Sequence, residues 1–90
     1  MVKQKDTPAS IHQNDQTAIR ELILFNDDVN TFDFVIEALI DVCKHAREQA
    51  EQCALIAHYN GKCMIKTGDY TGLKPLYEEM TLRGLTVSIE

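Results

Sequence analysis

"LFNDDVNTFDFVIEAL", residues 24–39, carries an apolar run through a polar junction into a second apolar pattern of different period. Before the junction, Ile19-Arg20-Glu21-Leu22-Ile23-Leu24-Phe25 is short, partly β-branched and ends in turn residues, so it predicts a strand over 19–25. After it, Phe34, Val35, Ala38, Leu39 and Val42 recur at helical spacing and make one apolar face. That spacing predicts a helix over 31–43. Thr31 or Asn30 can cap it, a side-chain oxygen meeting an unpaired N–H of the first turn. Asp33 and Glu37 sit toward its N-terminal end, where the helix dipole favours negative charge. Asn26, Asp27 and Asp28 crowd the connection between the two elements.

Working outward, Lys44, His45 and Ala46 break the first helix. A second helix runs to about His58, with Ala46, Ala50, Cys53, Ala54 and Ala57 on a small-residue face. Leu55 and Ile56 add bulk beside it. Asn60-Gly61 is the strongest turn dipeptide in the chain and opens a strand over 62–66. Thr67-Gly68-Asp69 turns the chain into a third helix over about 71–83, with Leu73, Leu76, Tyr77 and Met80 inward. Pro75 is expected in or near its first turn, because a deeper proline costs about 3 kcal/mol. Gly84 suits the helix end. Leu85-Thr86-Val87-Ser88-Ile89 alternates and predicts a last, half-buried strand. The order β-α-α-β-α-β predicts an α+β fold, a small two-layer sandwich with a three-stranded sheet packed on helices.

Ninety residues suit one domain with a small core. Residues 1–18 are polar, contain Pro8 and lack periodicity, so they are expected to be a flexible arm before a core domain of 19–90. No apolar segment follows the N-terminal lysines and no stretch is long enough to cross a membrane, which points to a cytoplasmic protein. Cys43, Cys53 and Cys63 are an odd number at a spacing that fits neither a CxxC pair nor a zinc knuckle. They are expected to be reduced and mostly buried. A net charge of -5 argues against nucleic acid as a partner and favours cationic ones.

Three polar or small-residue features stand apart from the fold: Asn26 with Asp27 and Asp28, His58 with Tyr59, and the small face around Ala54 and Ala57. Turn chemistry accounts for the first, since Asn and Asp bond to their own backbone. A histidine at a helix C-terminus is ordinary too. Asp27, Asp28 and His58 offer metal ligands without a metal-site spacing. Paired carboxylates can divide acid and base roles, but a chain this short leaves little room for an enclosed active site. No cofactor and no catalysis are expected. The sharper reading is cation recognition. A carboxylate, an amide carbonyl and a neutral imidazole nitrogen all accept hydrogen bonds, which an ammonium with three donors requires. An apolar recess lined by Phe32, Ala54 and Ala57 would hold a large side chain beside it.

The stretches "LILFNDDVNTFDFVIEAL" and "ALIAHYNGK", with the β-α-β order that follows, resemble the ClpS family of Clp protease adaptors over about residues 20–90. The resemblance implies an adaptor that binds a free α-amino group followed by Leu, Phe, Tyr or Trp at a substrate's N-terminus. It implies delivery to a Clp-type AAA+ unfoldase, ClpA or ClpC-like, that feeds ClpP, with the N-terminal arm taking part. By position, Asn26, Asp27 and His58 match the residues on the amino group. Asp28 matches a residue that orders the loop and lines the pocket mouth. Asn30 falls near the bound backbone, Phe32 at an apolar position that is often methionine, and Ala57 where valine is common. Ala54 stands where many members carry a methionine that walls the pocket. The lysine that docks the unfoldase matches Leu76, within "TGLKPL". The alternative is an interaction module without terminus recognition, since the same element order resembles the C-terminal domain of the bacterial ribosomal stalk protein.

Overall fold

The structure, a computed structural model, describes residues 18–90. The expected arm lies outside the described residues except for Ala18. The elements are β1 (Arg20–Phe25), α1 (Phe32–Cys43), α2 (Arg47–Asn60), β2 (Lys62–Gly68), α3 (Tyr70–Leu82) and β3 (Val87–Ile89). The predicted order and fold class hold. The strands form one antiparallel sheet in the order β2-β1-β3. Leu22 and Leu24 of β1 point to the helices and are nearly inaccessible, and they pack with Leu39, Ala50, Ala57, Leu73 and Met80. Among the described residues, no helix is long and apolar enough to cross a membrane.

Local chemistry explains the boundaries. Thr31 caps α1: its Oγ1 accepts the Phe34 N–H at 3.1 Å. Lys44 ends that helix in the left-handed region, at φ 61°. Asp69 caps α3 by accepting the Gly72 N–H at 2.7 Å. Because this cap sits ahead of Tyr70, Pro75 falls in the second turn rather than the first. The helix loses the bond that residue 75 would donate to the Thr71 carbonyl. Burial of Leu73 and Met80 on either side of the proline holds it in place. Phe34 also departs from expectation. It is exposed, and the buried stripe of α1 is Ile36, Ala38, Leu39, Val42 and Cys43. Leu85 and Thr86 precede β3 instead of starting it, with Leu85 buried as a core side chain.

The β1–β2 ladder contains a bulge that recruits the α1–α2 connection. Leu22 faces Lys66, whereas Ile23 faces Met64, so Ile65 is the extra residue. Its side chain enters the core, 3% exposed. Its carbonyl accepts from Nε2 of His45, which is buried, at 2.7 Å. Facing a carbonyl, Nε2 carries the proton, so His45 stands in for a missing ladder bond. Lys66, displaced toward the same side, donates from Nζ to the Cys43 carbonyl at the end of α1. Replacing His45 by Leu leaves the Ile65 carbonyl buried and unpaired. The variant should lose about 1–3 kcal/mol of stability, read as a lower urea midpoint at unchanged slope.

Candidate functional site

β1 ends where α2 ends, and one backbone bond makes this so. The Asn26 N–H donates to the Gly61 carbonyl at 2.9 Å. Gly61 can present that carbonyl because it turns at φ 93° while its own N–H closes α2 onto the Ala57 carbonyl. Asn26 is thereby set beside the last turn of α2, which carries His58.

The connection after Asn26 folds around Asp27. Its Oδ1 accepts the N–H groups of Val29 at 2.9 Å and Asn30 at 2.8 Å. Its Oδ2 accepts from Asn30 Nδ2 at 3.0 Å. The same Asn30 amide donates to the Gly84 carbonyl at 3.1 Å, tying the loop to the α3–β3 turn. Partial burial pushes the Asp27 carboxyl up. The bonds from the Asn30 backbone, the Asn30 side chain and the Val29 backbone outweigh this, and the group lies below its ordinary value. Asp28, next in the chain, is exposed, and no described residue donates to its carboxylate.

Between this loop, the start of α1 and the second half of α2 lies a cavity of about 310 Å³. It is lined by Leu24, Val35, Ala54 and Ala57 on its apolar side and by Asn26, Asp27, Asp28, Asn30 and His58 on its polar side, with Phe25, Thr31 and Phe32 completing the wall. The His58 imidazole sits between two rings. The Phe32 ring is 5.2 Å away and tilted by 59°, and the Tyr59 ring is 4.9 Å away, edge-on at 81°. All eight residues singled out from the sequence line this one cavity. Leu24, Phe25, Thr31 and Val35 line it too. Their sequence signals, strand, cap and helix stripe, are those of ordinary structural residues.

Asp27 and Asp28 enter no ion pair among those formed between described residues. Among the described residues, no group of three or more His, Cys, Asp or Glu side chains is arranged to hold a metal ion. The arrangement is an apolar recess with hydrogen-bond acceptors and negative charge at one side. A module without terminus recognition has no need for these features to converge.

The model of the family described as ATP-dependent Clp protease adaptor protein ClpS matches residues 15–87. The chain belongs to the ClpS family. A ClpS adapter protein of Campylobacter jejuni is 49% identical over 41 residues, covering 46% of this chain and 43% of that protein. A ClpS adapter protein of Neisseria meningitidis is 42% identical over 50 residues, covering 56% of this chain and 47% of that one. The matched region thus spans less than half the length of these curated relatives. The structure of Agrobacterium tumefaciens ClpS2 bound to L-phenylalaninamide is similar in fold, with a TM-score of 0.69 at 20% identity. It covers 84% of this chain and 98% of that one. Every cavity-lining residue falls inside the ClpS family match.

Because the folded-state value of Asp27 lies below its unfolded value, its stabilisation is complete above the ordinary carboxylate range. It is lost as pH falls through the folded value. Acid titration should therefore expose the Val29 and Asn30 amides to faster hydrogen exchange before the sheet amides. Asp27→Ala should produce the same local exposure at neutral pH, at a cost of about 1–2 kcal/mol in overall stability.

Proposed function

We propose that this protein is an adaptor that binds the free α-amino group and bulky apolar first residue of proteins and hands them to a Clp-type AAA+ unfoldase. The observation that carries the reading is the convergence of Asn26, Asp28 and His58 on the polar side of a cavity whose other side is Leu24, Val35, Ala54 and Ala57. An α-ammonium needs acceptors and a nearby negative charge, and a large side chain needs an apolar recess directly beside them. The cavity is of the size that small ligands occupy. Membership of the ClpS family supports both the cargo and the unfoldase partner, which we take to be ClpA or ClpC-like and to work with ClpP. The L-phenylalaninamide bound to the Agrobacterium ClpS2 carries a free α-amino group and a Phe side chain on one carbon, in keeping with that cargo.

The hydrogen bonds favour a division of labour between the carboxylates different from the one expected from sequence. The resemblance put Asp27 on the amino group and Asp28 at the mouth. Asp27 already accepts three bonds from its own loop, so we assign it to loop order, and Asp28 to the ammonium. Asn26 supplies its amide oxygen and His58 a ring nitrogen. Phe32 and Tyr59 fix the plane of that ring. Asn30, bound to both Asp27 and Gly84, holds the rim against which the peptide backbone leaves.

Fluorescent peptides that differ only in residue one, each free and acetylated, test the reading. Free Leu, Phe, Tyr and Trp peptides should bind, and acetylation should abolish binding. Tight binding of the acetylated forms would sink the proposal. Asp28→Asn should weaken the free Phe peptide by about 1.5–3 kcal/mol, roughly ten- to a hundred-fold in Kd.

Ala54 leaves room beside Ala57, and a larger residue would take it. Ala54→Met should therefore weaken the Trp peptide more than the Leu peptide, measured as the ratio of the two affinities. An unchanged ratio would mean that position 54 does not bound the recess.

A further inference from the structure

The proposed function leaves the far edge of the sheet unused. β3 pairs with β1 on one side, and no described strand lies on the other. The β1–β3 ladder shows which main-chain groups that edge presents. Glu21 and Glu90 exchange both bonds at 2.8 Å, and the Phe25 N–H donates to the Thr86 carbonyl at 2.9 Å. Antiparallel pairs alternate between bonded and non-bonded, so Leu22–Ile89 and Leu24–Val87 are non-bonded pairs. The N–H and C=O groups of Val87 and Ile89 therefore point away from β1, along the open edge. Beside that edge lies a recess of about 330 Å³, lined by Tyr70 and Tyr77 of α3 and by Ser88 and Ile89. Tyr77 and Ile89 are half-buried, and Tyr70 is 37% exposed.

We propose that this edge holds the stretch of substrate polypeptide downstream of the bound first residues, paired as an added parallel strand. The proposal rests on the adaptor reading of the cavity and extends it to the rest of the cargo. One substrate residue, opposite Ser88, donates its N–H to the Val87 carbonyl and accepts from the Ile89 N–H. These are main-chain bonds, so the edge takes tails of differing sequence, provided the paired residue is not proline. The side chains on either side of that residue share the face of Val87 and Ile89 and enter the recess beside the two tyrosines.

The path from the cavity to the edge is short and continuous. Asn30 lines the cavity, and its side-chain amide donates to the Gly84 carbonyl at 3.1 Å. Gly84 thus adjoins the rim. A Cβ there would meet no atom beyond its chain neighbours within 4 Å, so the ground above Gly84 is open. Val87 follows three residues later in the sequence, about 10 Å along an extended chain. A peptide whose first residue fills the cavity crosses Asn30 and Gly84 with its next few residues and then lies alongside Val87. It meets the edge at the Thr86 end and leaves at the Glu90 end, so it runs in the direction of β3. That direction selects the parallel pairing.

A second copy of β3 is the competing occupant, since Val87 and Ile89 of two copies can also pair antiparallel about Ser88. Two facts favour the tail. The edge strand is three residues long, too short to bury the surface that a stable dimer needs. Each copy also carries a charge of -5, which opposes association. A tail tethered through its first residue needs little affinity of its own, because the tether raises its local concentration.

The full chain is titrated with free Phe-initiated peptides of three and of ten residues, while amide hydrogen exchange is followed at Ile89. The ten-residue peptide should bind about five- to tenfold more tightly and slow exchange at Ile89, which the three-residue peptide should leave unchanged. N-methylation of a single amide, walked along the longer peptide from its fourth residue, should remove the gain at one position. Equal affinities of the two lengths, or a gain that survives N-methylation at every position, would overturn the strand pairing. So would exchange at Ile89 that slows with protein concentration in the peptide-free chain as its mass doubles, which gives the edge to a second copy. The three-residue peptide decides the adaptor reading by itself. Where it binds and the longer peptide gains nothing, the tail path alone fails; where neither binds, both fail.

Discussion

The bond from the Asn26 N–H to the Gly61 carbonyl is the constraint on which the site depends. By itself it is worth about 1 kcal/mol net, as any amide bond is. Its importance is positional. It welds the end of the central strand to the end of the longest helix, and so sets an amide side chain beside an imidazole that lies 32 residues later. Gly61 makes this possible, since its backbone turns at φ 93° and returns the chain at once into β2. A residue with a Cβ would be strained there, and the strain would fall on the one joint that aligns the two halves of the cavity.

Around that joint the two aspartates reach different electrostatic ends. Asp27 is solvated by its own loop, with two backbone donors on one oxygen and an amide on the other. Its charge is spent on order. Asp28 receives no such bonds from the described residues and faces water at the cavity rim. A carboxylate left in water costs little, yet it gains when a cation arrives with matching donors. The overall charge of -5 works in the same direction by drawing cationic groups toward the surface. On the proposed function, order and attraction fall to neighbouring residues of the same chemistry, separated only by which way the backbone points them.

That separation marks the limit of what could be read from the sequence. Element order was legible because each boundary carries its own punctuation: Thr31 at the start of α1, Asn60-Gly61 after α2, Gly84 after α3. Asn26, Asp27, Asp28 and His58 were legible as a set of acceptors, and the resemblance to the ClpS family put Asn26, Asp27 and His58 on the amino group. Which of the two carboxylates, Asp27 or Asp28, turns toward Val29 and Asn30 was not legible, because both are the same residue type in the same loop. The bulge at Ile65 was equally hidden. Met64-Ile65-Lys66 reads as plain strand, and His45 reads as part of a helix break until the two are seen to meet. Phe34 misled because its spacing fits the stripe, while the helix turns its buried side toward Ile36 and Leu39. Leu24 looked like core and is core, Val35 packs half-buried against it, and both also wall the cavity.

The last two residues show how closely stability and recognition are coupled in a domain this small. α2 presents Ala50, Cys53, Ala54 and Ala57 to the sheet, and all four are buried. Such small side chains bring a helix close, but they fill little volume. Ala50 and Cys53 lie within the buried core and line no part of the cavity, so the missing volume there is supplied. Over Ala54 and Ala57 it is not supplied, and the cavity results. A large apolar side chain entering there removes the same kind of surface from water as a core residue does. On the proposed function, a bound first residue would be the part of the core that the chain leaves out. Occupancy then stabilises the folded state by mass action, so that the recess is least costly to maintain when it is filled.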